Sequence, residues 1–315
     1  MSNPKSILIT GCSDGGLGSA LALAFCDAGW RVFASARNLK KLSETEAAGI
    51  ESIKLDVASE ESIQAAVEEI SRLTDGSLNA IVNNAGVGYS MPQLDLDLGR
   101  VREIFELNVF SNIAMVQAFA PLLLRSEGAI VINNSSIASV LPLPIQSAYN
   151  ASKAAASMFT ACLRLELEPL GIKVIELKTG SVRSNFAANN IATASTQKLP
   201  SNSYYNIAKG AIENFMVGDW LSETASDRHD WAREVVADVM QTKPAHTLWR
   251  GASAGRMWLG TMLPSWLFDT ELKKRSGLAV MDKEIQNQGG LAAFKARRTH
   301  SANSDTGLYD NDNGE

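Results

Sequence analysis

A chain of 315 residues, 45% hydrophobic and 20% charged, is long enough for one large globular unit with a substantial core. Its net charge of −5 argues against a nucleic-acid binder, which needs a basic excess to neutralise phosphates. Three cysteines and three histidines stand scattered without ligand spacing, so no metal site is expected and the thiols read as reduced, in an intracellular protein.

The N-terminus runs directly into an apolar stretch at 6–10, with no charged-then-apolar leader ahead of it, so no signal peptide is expected. The sequence shows no run of about 18 uncharged apolar residues, the length a membrane span needs. The first strand breaks into "TGCSDGGLG" (10–18) and then a helical pattern at 18–28. A phosphate cradle needs backbone N–H groups at a helix N-terminus and glycines that allow a tight turn. Gly11, Gly16 and Gly18 can supply these if the loop is one residue longer than usual. Taken alone, the stretch is equally a plain glycine-rich turn.

A second strand at 31–36 ends in "ASARN", where an NAD site usually carries an acid on the ribose 2′-OH. Arg37 stands there instead and can pair with a 2′-phosphate, or it is a solvated surface arginine. A third strand at 52–55 leads into Asp56-Val57, where the aspartate can meet an adenine amino group or cap the helix at 59–73. A fourth, at 79–83, ends in Asn83-Asn84-Ala85-Gly86, whose amides either brace the sheet or line a ribose. A long helical pattern covers 98–125.

A fifth strand at 129–133 precedes Ser136, and the helix at 148–169 places Tyr149 and Lys153 one turn apart on one face. A sixth strand at 173–177 is followed by "TGSVRS". Strands alternating with helices predict βαβ units, hence a doubly wound parallel sheet with helices on both faces. Ligands of such sheets bind beyond the C-terminal strand ends, where these residues cluster. Beyond 180 the rhythm fades into a polar stretch at 184–203, read as a mobile loop, and helical patterns return at 204–222 and 228–241. Residues 248–272 hold three of the six tryptophans. We expect a core unit over 1–245, an apolar extension over 246–285 packed on or near the substrate site, and a disordered polar tail over 286–315.

Together these motifs resemble the short-chain dehydrogenase/reductase family across roughly residues 5–185. Two departures stand out: the glycine loop carries one extra residue, and the usual Pro-Gly after the sixth strand is Thr179-Gly180. Both resemble a fungal branch that includes NADPH-dependent reductases of 1-acyldihydroxyacetone phosphate and ketoreductases of secondary metabolism. The resemblance implies a Rossmann fold and NADPH or NADP+ as cofactor. It implies cofactor contacts at Gly11, Ser13, Asp14, Gly16, Leu17, Gly18, Arg37, Asn38, Asp56, Val57, Asn83, Asn84, Ala85, Gly86, Gly180, Val182 and Ser184. It implies Tyr149 as general acid, Lys153 on the nicotinamide ribose and, together with the positive nicotinamide ring of the oxidised complex, favouring the phenolate, Ser136 donating to the substrate oxygen, and Asn108 holding a relay water.

The expected activity is reduction of a ketone or aldehyde on a fairly large apolar small-molecule substrate. Alternatives are a redox-neutral isomerase or dehydratase using the same tyrosine, and a non-catalytic NADPH-binding protein of lipid surfaces; retention of Asn108, Ser136, Tyr149 and Lys153 weighs against the last. The expected location is the cytoplasm, with peripheral lipid-surface contact at endoplasmic reticulum or lipid droplets and homo-oligomerisation left open.

Overall fold

The computed structural model describes residues 4–186, 198–218 and 224–305, with side chains to 297. Seven strands form one parallel sheet in the order β3-β2-β1-β4-β5-β6-β7. They are β1 (Ser6–Ile9), β2 (Arg31–Ala36), β3 (Glu51–Lys54), β4 (Ala80–Asn83), β5 (Ile130–Asn134), β6 (Lys173–Thr179) and β7 (Thr247–Arg250). The strand order reverses between β1 and β4, so a crevice opens at their C-terminal ends.

The period-two alternation of side chains splits the core into two layers. Ile7 and Ile9 face one layer, shared with Leu21 and Phe25 of α1 (Leu17–Asp27) and Trp231 and Val235 of α7 (Arg228–Val239). Leu8 faces the other, with Ile63 and Ile70 of α3 (Glu60–Leu73) and Phe119 of α4 (Leu98–Leu124). Strands covered on both faces must be apolar throughout, and β1, SILI, is buried at all four positions. A third cluster, including Leu143, Ile145, Ile212, Phe215 and Leu272, lies apart from these two. It joins the loop before α5 (Ser147–Leu167) to α6 (Lys209–Val217) and α9 (Asp269–Arg275).

Several expectations change. Helix α4 has the length and apolarity of a membrane span, which the sequence reading did not credit. It is a core helix: Met115, Val116, Phe119, Leu122 and Leu123 are buried. The seventh strand falls where an apolar extension was expected to begin. Gly290–Asp305 is helical, following α10 (Leu278–Asn287), where a disordered tail was expected from 286. Of the stretch expected to be a mobile loop at 184–203, residues 187–197 lie outside the described residues, as do 306–315 of the tail.

Candidate active site

The glycine loop leaves β1 with Gly11 at φ +71°, a conformation that favours glycine. A Cβ there would sit 2.9 Å from Ala85 Cα, so the loop lies directly against the end of β4. A Cβ on Gly18 would come within 2.4 Å of the Gly11 carbonyl oxygen, so α1 packs close behind the loop. Gly16 caps α1 without a side-chain hydrogen bond, which leaves first-turn N–H groups open to an anion.

The extra residues of the loop are held by protein rather than facing the crevice freely. Asp14 accepts from the backbone N–H groups of Ser43 and Glu44, at 3.2 and 2.9 Å, and its N–H donates to the Lys41 carbonyl at 2.7 Å. Glu44 accepts from the Gly15 N–H at 3.2 Å and the Ser19 hydroxyl at 2.9 Å, and pairs with Arg228 at 2.9 Å. These hydrogen bonds and the nearby Arg228 guanidinium hold the carboxyls of Asp14 and Glu44 below their ordinary range, against a burial effect that raises them. On the far side, Asn185 Nδ2 donates to the Asp14 carbonyl at 2.6 Å and the Asn185 N–H to that of Gly15 at 3.0 Å. The lengthened loop is therefore tied both to α2 (Ser43–Ala47) and to the segment after β6.

The strand ends are cross-linked by a row of short polar side chains. Thr10 Oγ1 accepts from the N–H groups of Asn84 and Ala85, at 2.9 and 3.0 Å. Asn84 Nδ2 donates to the Thr10 carbonyl, Asn134 Nδ2 donates to Asn84 Oδ1 at 2.9 Å, and Thr179 Oγ1 donates to Asn134 Oδ1 at 2.6 Å. The threonine that replaces the usual proline thus closes this row. Asn134, which the sequence reading did not single out, also accepts from Lys153 Nζ at 3.0 Å through its carbonyl.

Asn108 sits in a π-helical turn, Glu106–Phe110, inside α4. Its Oδ1 accepts from the Val87 N–H at 3.0 Å, while its Nδ2 donates to the Val87 carbonyl at 2.9 Å and to Ser152 Oγ at 3.0 Å. The amide is fully engaged in holding the segment after β4 against α5. A Cβ on Gly86 would lie 3.0 Å from Asn108 Oδ1, a tight contact, and 3.7 Å from Lys153 Nζ, so Gly86 lies close between these two groups.

The Ser136 hydroxyl accepts from the Ala138 N–H at 3.1 Å and lies close enough to the Tyr149 hydroxyl to influence its titration. Ser135 beside them has a buried hydroxyl without a partner among the described residues. Burial pushes the Tyr149 hydroxyl above its ordinary value, and the Ser136 hydroxyl partly offsets this. Lys153 Nζ stands 6.0 Å from the Tyr149 ring centroid, and burial lowers its pKa to about 8. Burial thus favours the neutral form of both groups, and the expected stabilisation of the phenolate by Lys153 together with an oxidised nicotinamide ring belongs to the cofactor complex.

A second layer holds these residues in place. Lys178 Nζ donates to Glu176 Oε1 at 2.7 Å, Ser157 Oγ at 2.8 Å and Ser139 Oγ at 2.9 Å, which uses all three ammonium hydrogens. Ser139 Oγ donates in turn to the Ser136 carbonyl at 2.7 Å. Both members of the Lys178–Glu176 pair are buried. The pair links the Ser136 loop to α5, one turn beyond Lys153.

The strand ends, the glycine loop and the Ser136–Tyr149–Lys153 group border one cavity of about 1050 Å³. Gly11, Ser13, Asp14, Gly16, Leu17, Arg37, Asn38, Asp56, Val57, Asn84, Ala85, Gly86, Ser136, Tyr149, Lys153, Gly180, Val182 and Ser184 line it, together with Lys40 and Lys41. Three expected site residues do not. Gly18 is buried behind the loop. Asn83 donates to Asn133 Oδ1 at 2.8 Å and braces the sheet. Asn108 acts from behind Gly86. The helix-capping role open to Asp56 belongs to Ser59, whose hydroxyl accepts from the Ser62 N–H at 3.2 Å. The opposite wall comes from Leu141, Leu143, Met257, Phe268 and Leu272, with the charged side chains of Arg256, Glu271 and Arg275 from the same elements. None of the tryptophans among the described residues lines the cavity; Trp249 instead packs its ring 5.6 Å from Lys178 Nζ.

The short chain dehydrogenase family model matches residues 5–195. A short-chain dehydrogenase/reductase of Pestalotiopsis microspora is 43% identical over 286 residues, 91% of this chain and 99% of that protein. The NADPH-dependent 1-acyldihydroxyacetone phosphate reductase of Schizosaccharomyces pombe is 36% identical, covering 87% of this chain and 94% of its own. Among solved structures, a short-chain dehydrogenase from Streptomyces avermitilis superposes with a TM-score of 0.69 at 26% identity, over 89% of this chain and 98% of that one.

Proposed function

The chain belongs to the short-chain dehydrogenase family, and on that premise we propose that it is an NADPH-dependent reductase of a ketone or aldehyde carried on a bulky apolar molecule. Family membership makes it an oxidoreductase that works with a nicotinamide dinucleotide. The residues present fit that group: a glycine loop pressed against β4, open N–H groups at the start of α1, and a cavity running from there to Tyr149. The observation that carries the reading is the make-up of this cavity. Its two ends differ, with Arg37, Lys40 and Lys41 at the end of β2 and Leu141, Met257 and Phe268 across from the catalytic residues.

Arg37 stands where the second strand ends, in place of a carboxylate, and its guanidinium suits a 2′-phosphate. Lys153 would hold the nicotinamide ribose, and Val182 and Ser184 the carboxamide. The bound dinucleotide supplies the hydride. Tyr149, kept protonated by burial, donates its proton to the carbonyl oxygen as negative charge develops there. Ser136 directs its hydroxyl at the same oxygen. The Asn134 carbonyl holds the Lys153 ammonium, while the Asn108–Ser152 hydrogen bond holds the segment after β4 against α5. The apolar wall accommodates the remainder of the substrate, a fit consistent with the acylated substrate in the name of the Schizosaccharomyces pombe relative.

The test is a panel of ketones and aldehydes with purified protein and either NADPH or NADH, followed at the reduced-nicotinamide absorbance. NADPH consumption in proportion to alcohol formed is the expected result. Product formed without NADPH consumption, or equal use of NADH at moderate salt, overturns the reading.

A further inference from the structure

Helix α8 (Ala254–Gly260), the turn after it and the 3-10 segment Ser265–Phe268 form a projecting element with two unlike sides. Met257 and Phe268 face inward and line the main cavity. A second cavity of about 360 Å³ shares both of them and Leu141, and continues past Val140, Pro142 and Leu263 toward the surface. Outward, Trp258, Leu259, Met262, Leu263, Trp266 and Leu267 are each between 47% and 66% exposed. Scattered exposed apolar residues are ordinary, but six large ones within ten positions form a contiguous patch that marks a contact surface.

The charge around the patch indicates what it meets. Between Ala254 and Arg275 stand four cations, Arg256, Lys273, Lys274 and Arg275, against two carboxylates, Asp269 and Glu271, in a chain of net charge −5. Glu271 pairs with Arg275, and Lys273 with Asp282. Arg256 and Lys274 have no ion pair among the described residues; Arg256 is exposed at the edge of the main cavity, which it also lines, and Lys274 lines neither cavity. An apolar face with tryptophans, rimmed by cations on an otherwise acidic protein, has the composition of an element that lies in the interface of an anionic bilayer. Tryptophan suits that depth because its ring is apolar and its N–H remains hydrated. The segment is too short to cross a bilayer.

We propose that this surface seats the protein on an anionic lipid bilayer, and that an apolar substrate passes from the lipid through the second cavity to Tyr149. The seating does not depend on the enzymatic reading; the passage of substrate does. Trp258 and Trp266 line neither cavity, so replacing them leaves the site untouched.

The experiment is flotation of the full-length protein with phosphatidylcholine vesicles, with and without 30 mol% phosphatidylserine. Tryptophan quenching by lipids brominated on their chains is read in parallel. The expected result is flotation that rises with phosphatidylserine and falls with salt, together with quenching. Trp258→Ser/Trp266→Ser should lose flotation at least tenfold while turning over a short water-soluble carbonyl at the wild-type rate, which also shows that the variant folds. Arg256→Gln/Lys274→Gln should lose the phosphatidylserine dependence. Absence of flotation at every composition overturns the seating, as does a double tryptophan variant that floats like wild type. So does a concentration-dependent dimer that the tryptophan variant abolishes, since the patch then meets a second copy. Flotation without any advantage for membrane-borne over micellar carbonyl overturns the passage alone. Loss of turnover on all carbonyls by the wild type, with flotation intact, overturns the enzymatic reading and leaves the seating standing.

Discussion

The two sides of the cavity hold their residues by different means. On the strand-end side, Asn84, Asn134 and Thr179 are joined side chain to side chain, Asn84 is tied to the Thr10 carbonyl, and Lys178 clamps the Ser136 loop to α5. On the other side, α8 and the segment to Phe268 present Met257 and Phe268 inward and leave their large neighbours in solvent. Directional hydrogen bonds fix atoms to within tenths of an ångström, which proton transfer needs. Apolar contact is non-directional and tolerates different occupants. The comparison suggests that one wall sets the reaction and the other sets what enters. Substitutions on the first should then strike turnover, and substitutions on the second should strike KM.

The sharpest break falls on Tyr149. Tyr149→Phe removes one hydroxyl from the rigid wall and little volume, so the fold and cofactor binding should survive. Turnover should fall by roughly 10²- to 10⁴-fold, the scale of a positioned acid. A variant with near-normal kcat, measured by stopped-flow at saturating NADPH, would move the acid elsewhere.

Next is the buried pair behind it. Lys178→Met leaves the Glu176 carboxylate buried without its partner, a loss of about 3–5 kcal/mol in stability by chemical denaturation. Glu176→Leu/Lys178→Met removes both charges and should recover most of that stability, because apolar replacement of a buried pair is often neutral. If the pair positions Ser136, the recovered fold still shows depressed kcat with an unchanged NADPH dissociation constant. Recovery of both stability and kcat would reduce the pair to a packing role.

These two residues show where the sequence is legible and where it is not. Ser136, Tyr149 and Lys153 could be located because each lies just after a strand or one helical turn from its partner; their roles, and Asn108, came from the family resemblance. Glu176 and Lys178 interrupt an apolar strand and look like the exposed face of an edge. Their spacing of two puts both on one face, where they satisfy each other. A single sequence does not show that pairing. The π-turn around Asn108 was also hidden, because one extra residue in a helix barely disturbs the apolar periodicity of its flanks. Asn83 and Asn84 have the same chemistry, but strand alternation turns one into the sheet and the other into the cavity. β7 was missed because four residues, TLWR, run straight into a glycine and a tryptophan-rich stretch. Polar composition hid the helix at Gly290–Asp305 in the same way.

At the cationic end of the rigid wall, Ala36→Asp/Arg37→Leu replaces a donor to the 2′-phosphate with an acid suited to a free ribose. A hydrogen bond to a charged group contributes about 1.5–3 kcal/mol, so NADPH affinity should fall by roughly 10- to 100-fold while NADH affinity holds or rises. Titration by protein fluorescence reads both constants. An unchanged NADPH/NADH ratio would make Arg37 a surface arginine.

A smaller effect comes from pH. Burial lowers the Lys153 pKa from its ordinary 10.5 to about 8. Between these values the folded chain has released a proton that the unfolded chain keeps, so this group adds stability as pH rises through that window. Cofactor binding should move the opposite way, weakening above about pH 8 as a charged donor becomes neutral. The difference between charged and neutral hydrogen bonds implies about fivefold. Lys153→Met should bind weakly at every pH and lack that limb. A wild-type affinity flat from pH 7 to 10 would mean that Lys153 stays protonated throughout.

The apolar wall should give the gentlest response, and a graded one. Leu141, Met257 and Phe268 line the main cavity and the second cavity together, so a substrate tail extending from the carbonyl meets continuous apolar surface. Each methylene buried there contributes about 0.8 kcal/mol, so KM should drop up to about fourfold per added carbon at constant head group. The drop should stop once the tail outgrows the two cavities. Because chain length changes only groups remote from the reacting carbonyl, kcat should vary far less than KM across the series. Met257→Ser should shallow the slope without altering kcat for the shortest member, since Met257 touches none of the catalytic hydrogen bonds. If KM is flat, the wall does not select the substrate. If kcat rises with length instead, tail binding is used to align the carbonyl with Tyr149, and the two walls act as one.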